Sequence, residues 1–169
     1  MKRFIILISL MIFKINYSTD GDLDPTFGTS GKVITGFTGQ QFEGYALAIQ
    51  PDGKILLAGA SFDSSSSTSY DFAIARYNTD GTLDTNFGSS GIATVDFFSD
   101  VDQCFSIGLQ SDGKIILGGT AYNNTESEYR FALARLTNSG ALDTDFGTSG
   151  KVTTPTGSGY SLVIQLAQS

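Results

Sequence analysis

The run ALDTDFGTSGKV contains Asp145-Phe146-Gly147, and Asp-Phe-Gly is the triplet with which protein kinases hold a catalytic magnesium ion. A kinase also needs a His-Arg-Asp segment, and this sequence contains no histidine. The same absence excludes Ser-His-Asp and Cys-His catalysis and histidine-containing zinc sites. The triplet by itself therefore does not indicate phosphoryl transfer.

Two other segments have the spacing of ligand-binding loops. GLQSDGKI, residues 108–115, matches a phosphate-binding loop up to the lysine, but Ile115 stands where Ser or Thr must reach magnesium. NTDGTLD, residues 78–84, places side-chain oxygens at every second position as calcium loops do. Phe87 stands in place of the bidentate glutamate, so a structural turn is favoured over a calcium site.

Cys104 is the single cysteine, so no disulfide can form within the chain. Sequence alignment within the chain places it where Gly44 and Gly159 stand in the other copies of an internal repeat. This exchange indicates a small buried residue and not a nucleophile. We predict no catalytic, cofactor-binding or metal-ligating residues.

The internal repeat explains the opening triplet. Three stretches begin at Asp20, Asp80 and Ser139, and their shared aspartates lie 60 and 59 residues apart. The recurring positions are Asp24, Phe27 and Gly28; Asp84, Phe87 and Gly88; and Asp143, Phe146 and Gly147. The position of Asp145 is Asn86 in one copy and Thr26 in another. A magnesium ligand does not tolerate that exchange, whereas an exposed turn does, so we predict a structural role for the recurring residues.

Each repeat divides into short apolar runs bounded by Gly, Asp, Asn and Ser, which is typical of β-strands. In the first repeat these runs are KVITGF, YALAIQ, KILLAGAS and DFAIARYN. PDG at 51–53 and SDG at 111–113 predict tight hairpins. The runs ILLAG and IILGG are apolar at successive positions, which indicates that both faces of the strand are covered.

We therefore predict an all-β fold: a β-propeller-like array of four-stranded antiparallel blades, with two full repeats and a partial third. A parallel β-helix is the competing architecture, but its coils usually use shorter repeats. The blocks LDTNFGSSG, AIQPDGKILLAG and FAIARYNTDGTLD resemble the delta-60 repeat, a bacterial secreted repeat of this length. The resemblance implies a β-propeller and export, and it implies no catalytic residues.

The predicted domain organisation is a signal peptide at 1–18 followed by a delta-60 repeat β-propeller fragment at 19–169. The repeats are 20–79, 80–138 and a partial copy at 139–169. That third copy runs GYSLVIQLAQS and stops where PDGKI should follow, so the array is too short to close a ring. Truncation is favoured over assembly from several copies, although open blade edges favour self-association.

The N-terminus has two basic residues, Lys2 and Arg3, and then an apolar run from Phe4 to Phe13. This is the pattern of a secretory signal, and it is too short for a membrane span. Cleavage after Ser18 would leave 7 basic and 17 acidic residues, hence a net charge of 7 − 17 = −10. Such a charge argues against nucleic acid as a partner. We expect a secreted or cell-surface protein with no membrane span in its mature form.

Arg76 and Arg135 hold the same place, each eight residues before the shared aspartate. We predict a structural bond to that aspartate and to turn carbonyls of the same blade. The alternative is a ring of arginines that grips an acidic ligand around a central channel.

The loop between the third and fourth predicted strands differs between copies: SFDSSSSTSYD from Ser61 and AYNNTESEYR from Ala121. Varied loops on a repeated scaffold often carry binding specificity. Tyr70, Tyr122 and Tyr129 are the candidate ligand-contacting residues, for a protein or carbohydrate partner. A solvated loop without a ligand is the competing interpretation.

The sequence favours an exported, non-enzymatic repeat protein that acts in binding or as a cell-surface scaffold, with no cofactor. Two alternatives remain open. One is a truncated piece of an extracellular enzyme, and the other is a calcium-dependent adhesin. In both, the functional residues would lie in missing blades.

Overall fold

The computed structural model describes residues 21–36, 40–63 and 69–156. Within these ranges the chain forms eight β-strands and no helix, and the strands make two four-stranded antiparallel sheets, β1-β2-β3-β4 and β5-β6-β7-β8. The strands are β1 (Gln40–Ile49), β2 (Ile55–Asp63), β3 (Tyr70–Tyr77), β4 (Ile92–Val95), β5 (Asp102–Leu109), β6 (Ile115–Asn123), β7 (Glu128–Leu136) and β8 (Lys151–Pro155).

This architecture confirms the all-β prediction of antiparallel four-stranded blades. Closed propellers have about 4–8 blades, so two sheets make an incomplete propeller. No stretch of helix able to cross a membrane occurs in the described ranges.

Both predicted hairpins are present at equivalent places. The β1–β2 turn is closed by the Gln50 N–H donating to the Lys54 carbonyl at 2.8 Å, with a three-residue loop between them. Gly53 and Gly113 have φ values of 83° and 84°, which explains why glycine ends both loops.

The sheets and the sequence repeats are out of phase. β4, residues 92–95, follows the FGSSG segment of the second repeat, yet it pairs with β3 of the first, with Val95 opposite Phe72. β8 likewise comes from the third repeat and pairs with β7. The 84–91 loop reverses the chain, so the next segment runs back beside the strand it has just left. Each sheet is thus completed by residues of the following repeat.

This arrangement corrects one strand assignment. KVITGF, predicted as the first strand of the first sheet, forms no strand between residues 32 and 36, where Lys32 makes only isolated bridges. Its last residue, Phe37, lies outside the described residues.

The core lies between the two sheets. β5 packs across β1, β2 and β3, and the cluster includes Phe72, Ile74, Cys104 and Leu117, all fully buried. Every residue of FAIAR, 72–76, is buried, so both faces of β3 are covered. Removal of apolar surface between neighbouring sheets therefore holds the array together.

Candidate functional site

The loops at one end of the sheets have sequences that recur from one repeat to the next, whereas the loops at the other end differ between repeats. At one end lie the hairpins at 50–54 and 110–114 and the long loops at 78–91 and 137–150, which carry the recurring motif. We call this the motif end. At the opposite end lie the β2–β3, β4–β5 and β6–β7 connections, whose sequences differ between copies. We call this the variable end.

At the motif end Asp84 is the centre of an ion cluster. One of its oxygens, Oδ2, accepts hydrogen bonds from Lys54 Nζ and Arg76 Nε, both at 2.8 Å. The arginine guanidinium also lies over the Phe87 ring, 4.5 Å from its centroid. The lysine hydrogen bond is the main cause that lowers the pKa of Asp84, and the amide of Asn86 and the charges of Arg76 and Lys54 add to it.

The same cluster recurs around Asp143, the next shared aspartate of the repeat. Asp143 Oδ2 lies 3.0 Å from Lys114 Nζ and accepts from Arg135 Nε at 2.7 Å, and the guanidinium lies over Phe146 at 4.7 Å. The pKa of Asp143 is lowered, chiefly by the Lys114 hydrogen bond. The two lysines were not singled out in the sequence, although both occupy the recurring DGK block.

The arginine contacts differ from the prediction in one respect. Each arginine binds the aspartate eight residues on, but Arg76 Nη1 donates to the Asn138 carbonyl at 2.6 Å, which belongs to the next repeat. The predicted carbonyls were those of its own blade. Asn138 follows β7 of the second sheet, so the packing of the two sheets brings this turn next to Arg76.

The recurring glycines also join neighbouring repeats. The Gly28 N–H donates to the Asp80 carbonyl, and the Gly88 N–H donates to the Ser139 carbonyl, both at 2.8 Å. Gly147 is the third member of this series. These bonds connect each motif loop to the next, so the loops of the motif end form one hydrogen-bonded row with a structural role.

The first copy of the motif has a different environment. Asp24 is exposed, and its Oδ1 accepts from the amide and the hydroxyl of Thr26 at 2.8 and 2.6 Å. Its pKa is lowered by these two bonds. In the other copies the cationic partners come from an upstream hairpin and an upstream strand, and upstream of Asp24 the structure describes three residues, 21–23. Phe27 is correspondingly half-buried, whereas Phe87 is fully buried.

The variable end carries one aromatic pair in each sheet. The rings of Tyr122 and Tyr129 lie 4.9 Å apart, and those of Phe62 and Tyr70 lie 5.1 Å apart. Both pairs are cross-strand neighbours at the same register position. The candidate residues Tyr122 and Tyr129 thus contact each other, and the third candidate, Tyr70, contacts Phe62. Phe62 was not predicted as a candidate, although it aligns with Tyr122 in the sequence repeat.

The variable end also holds three carboxylates that the sequence did not single out. One oxygen each of Asp71, Asp96 and Asp102 lies within 4.8 Å of the others. Asp71 is on β3, Asp96 follows β4, and Asp102 begins β5. Residues far apart in sequence therefore converge where the two sheets meet.

Asp102 is the most unusual member of this acidic cluster. It is fully buried, its Oδ2 accepts from the Phe97 amide at 2.6 Å, and its Oδ1 has no hydrogen-bond partner among the described residues. Burial raises its pKa to about 7, and the charges of Asp96 and Asp71 act in the same direction.

None of the three aspartates belongs to the repeat. In the paired strands the positions of Asp71, Asp96 and Asp102 correspond to Arg130, Pro155 and Phe42. In the sequence, these positions stand out only because an acidic residue replaces a residue of another type in the equivalent strand. The fold alone shows that the three carboxylates lie close together.

Cys104 is fully buried, as its alignment with glycine predicts. Burial raises the pKa of its thiol to about 12. A thiol that is both inaccessible and protonated cannot act as a nucleophile.

Comparison with known proteins agrees with this architecture. The family model of the domain of unknown function (DUF5122) beta-propeller matches residues 50–87 and 110–146, and no curated protein matches the chain. Both segments begin at equivalent glutamines and end at equivalent phenylalanines of the motif. The chain therefore carries two copies of a β-propeller-type repeat.

Proposed function

We propose that this chain is an exported, non-enzymatic β-propeller repeat protein that binds a protein or carbohydrate ligand at its variable end. The observation that carries this proposal is the pair of aromatic side chains at the same register position of each sheet, Phe62 with Tyr70 and Tyr122 with Tyr129. The delta-60 resemblance and the signal-like residues 1–18 support export.

The aromatic pairs have the properties of a recognition surface. Tyrosine supplies a large and rigid contact area with a polar hydroxyl, at low conformational-entropy cost. Tyr129 is 37% exposed, so its ring is accessible to a partner. The adjoining connections differ between copies, whereas the motif end is occupied by contacts that repeat.

Several features support a non-enzymatic role. The sequence lacks histidine, the Cys104 thiol is buried, and the recurring aspartates 84 and 143 are engaged by lysine and arginine. Asp102 has a raised pKa but is fully buried, so a substrate as large as a sugar or a peptide cannot reach its carboxylate. The net charge of −7 for the whole sequence disfavours nucleic acid as the ligand.

The test uses the purified chain with immobilised chitin, cellulose and xylan as carbohydrate probes and gelatin as a protein probe. We expect measurable binding to at least one probe. The Tyr122→Ala/Tyr129→Ala variant should weaken it by about tenfold or more, since loss of such aromatic contacts commonly costs 2 kcal/mol or so.

Tyr77→Ala is the matched control, because this tyrosine ends β3 at the opposite end of the sheet. It should leave the affinity unchanged. Full binding by the double variant, or no binding to any of the four probes, would contradict the proposal. Release of reducing sugar from a bound polysaccharide would contradict the non-enzymatic assignment.

A further inference from the structure

We propose that Asp71, Asp96 and Asp102 form a binding site for one divalent cation, of the Ca²⁺ type, at the junction of the two sheets. The inference is independent of the ligand proposed above, because it rests on carboxylates and not on the tyrosines. It also departs from the sequence-based expectation that the chain has no metal ligands.

The first support is convergence. One oxygen from each of the three carboxylates lies within 4.8 Å of the others. Oxygens that share one calcium ion at 2.3–2.6 Å lie at most about 4.6–5.2 Å apart. The spacing therefore suits a single ion without rearrangement of the strands.

The second support is Asp102 itself. Its side chain is fully buried, and the Phe97 amide satisfies only Oδ2, so Oδ1 lies in the interior without a donor. A buried carboxylate oxygen without a partner is costly. A cation between the three carboxylates would supply the missing interaction and neutralise their repulsion.

The neighbouring groups leave room for this role. Asp96 receives hydrogen bonds from the Ser99 amide at 2.5 Å and the Ser99 hydroxyl at 3.3 Å, and each carboxylate oxygen has a further lone pair to offer. Ser69 Oγ lies 3.4 Å from Asp71 Oδ1. Lys151 Nζ donates to the main-chain oxygen of Asp96 at 2.8 Å. Its charge attracts the Asp102 carboxylate, but it forms no ion pair with any of the three carboxylates within the part of the chain that the structure describes.

The donor set selects the ion. All three side chains offer hard oxygen, and no histidine exists anywhere in the sequence. Carboxylates and water suit Ca²⁺, Mg²⁺ or Mn²⁺, and Ca²⁺ tolerates an irregular coordination geometry, whereas Mg²⁺ demands a near-ideal octahedron. The ligands come from β3, the β4–β5 connection and β5, so the ion would link one sheet to the next.

The experiment is calorimetric titration of the chelator-treated chain with Ca²⁺ alone, together with thermal unfolding with and without the ion. We expect one bound ion per chain and a higher melting temperature. Asp102→Asn and, separately, Asp96→Asn should each lower the affinity by about tenfold or more, because affinity follows the number of charged ligands. Asp96 is exposed, so its variant is expected to fold even if Asp102→Asn does not.

Asp80→Asn is the matched control, since Asp80 lies in the calcium-like 78–84 run at the motif end and its Oδ1 already accepts from Thr82. This variant should bind Ca²⁺ like the parent. Loss of binding in Asp80→Asn with retention in Asp96→Asn would overturn the proposal. The absence of both heat and a melting shift with Ca²⁺, Mg²⁺ and Mn²⁺ would overturn it too.

Discussion

At Asp84 one carboxylate oxygen accepts from both a lysine and an arginine. Arg76 is 6% exposed and Asp84 is 3% exposed, so water solvates neither charge and each is compensated by the other. Pairing one charge with another in this way makes removal of either partner costly, because the survivor stays buried without compensation. The same pairing recurs between Arg135 and Asp143.

We expect Asp84→Asn to destabilise the protein by on the order of 3 kcal/mol at neutral pH, because it leaves the Arg76 charge unpaired. The pKa of Asp84 in the folded state is below its ordinary value of 3.8. Its contribution is therefore fully present above pH 3.8 and is lost as the pH falls through the lower folded-state pKa.

Urea unfolding of the parent and of Asp84→Asn between pH 7 and about pH 2.5 measures this effect. The difference in unfolding free energy should shrink toward low pH, because the parent carboxylate then becomes protonated as well. Thr85→Ala, an exposed neighbour, is the control and should show no such pH dependence. A difference that stays constant over the whole range would contradict the assigned cause.

At the scale of elements, the 84–91 loop decides that β4 completes the first sheet. Gly88 has a φ of 53°, and a Cβ placed there would lie 2.1 Å from the Ile92 carbonyl oxygen. Only glycine allows the chain to turn this tightly and send β4 back beside β3.

We therefore expect Gly88→Ala to cost more than about 2 kcal/mol, from backbone strain together with the clash. Gly113→Ala is the matched control: its φ is 84°, but the nearest atoms to its Cβ would be 3.8 Å away. That variant should cost about 1 kcal/mol from the left-handed backbone alone. Equal losses in the two variants, measured by chemical unfolding, would show that the close approach to Ile92 is unimportant.

The whole molecule has an exposed sheet face whose equivalent in the next sheet is covered. Leu47 and Ile49 on β1 are 61% and 62% exposed, whereas Ile107 at the matching place on β5 is 6% exposed. Leu109, the other counterpart, is partly buried against the core that joins the sheets. This continuity with an existing interface favours a second copy of the chain, stacked head to tail, as the occupant of the β1 face.

We expect the parent chain to self-associate with increasing concentration in sedimentation velocity, and Leu47→Glu/Ile49→Glu to abolish that association. Burying two charges against an apolar partner is unfavourable. Thr85→Glu/Ser89→Glu, which adds the same charges at exposed motif-end positions, should leave it intact. A parent that stays monomeric at every concentration would refute the head-to-tail contact.

Much of this architecture was determined by local sequence. The hairpins need glycine at their left-handed positions, and Arg76 pairs with the aspartate eight residues on. Both features depend on residues close together in the chain, so turn chemistry and the spacing within the repeat predict them. Comparison between copies also identified Cys104 as a buried filler, because the exchange with glycine limits its size.

Tertiary structure decided the features that depend on long-range placement. Three features follow from where the chain returns after each loop. They are the completion of each sheet by a strand of the following repeat, the contact of Arg76 with Asn138, and the contact of Tyr70 with Phe62. The convergence of Asp71, Asp96 and Asp102 is the clearest case. Their separations in sequence match no ligand spacing, and only the packing of one sheet on the next brings the three charges together.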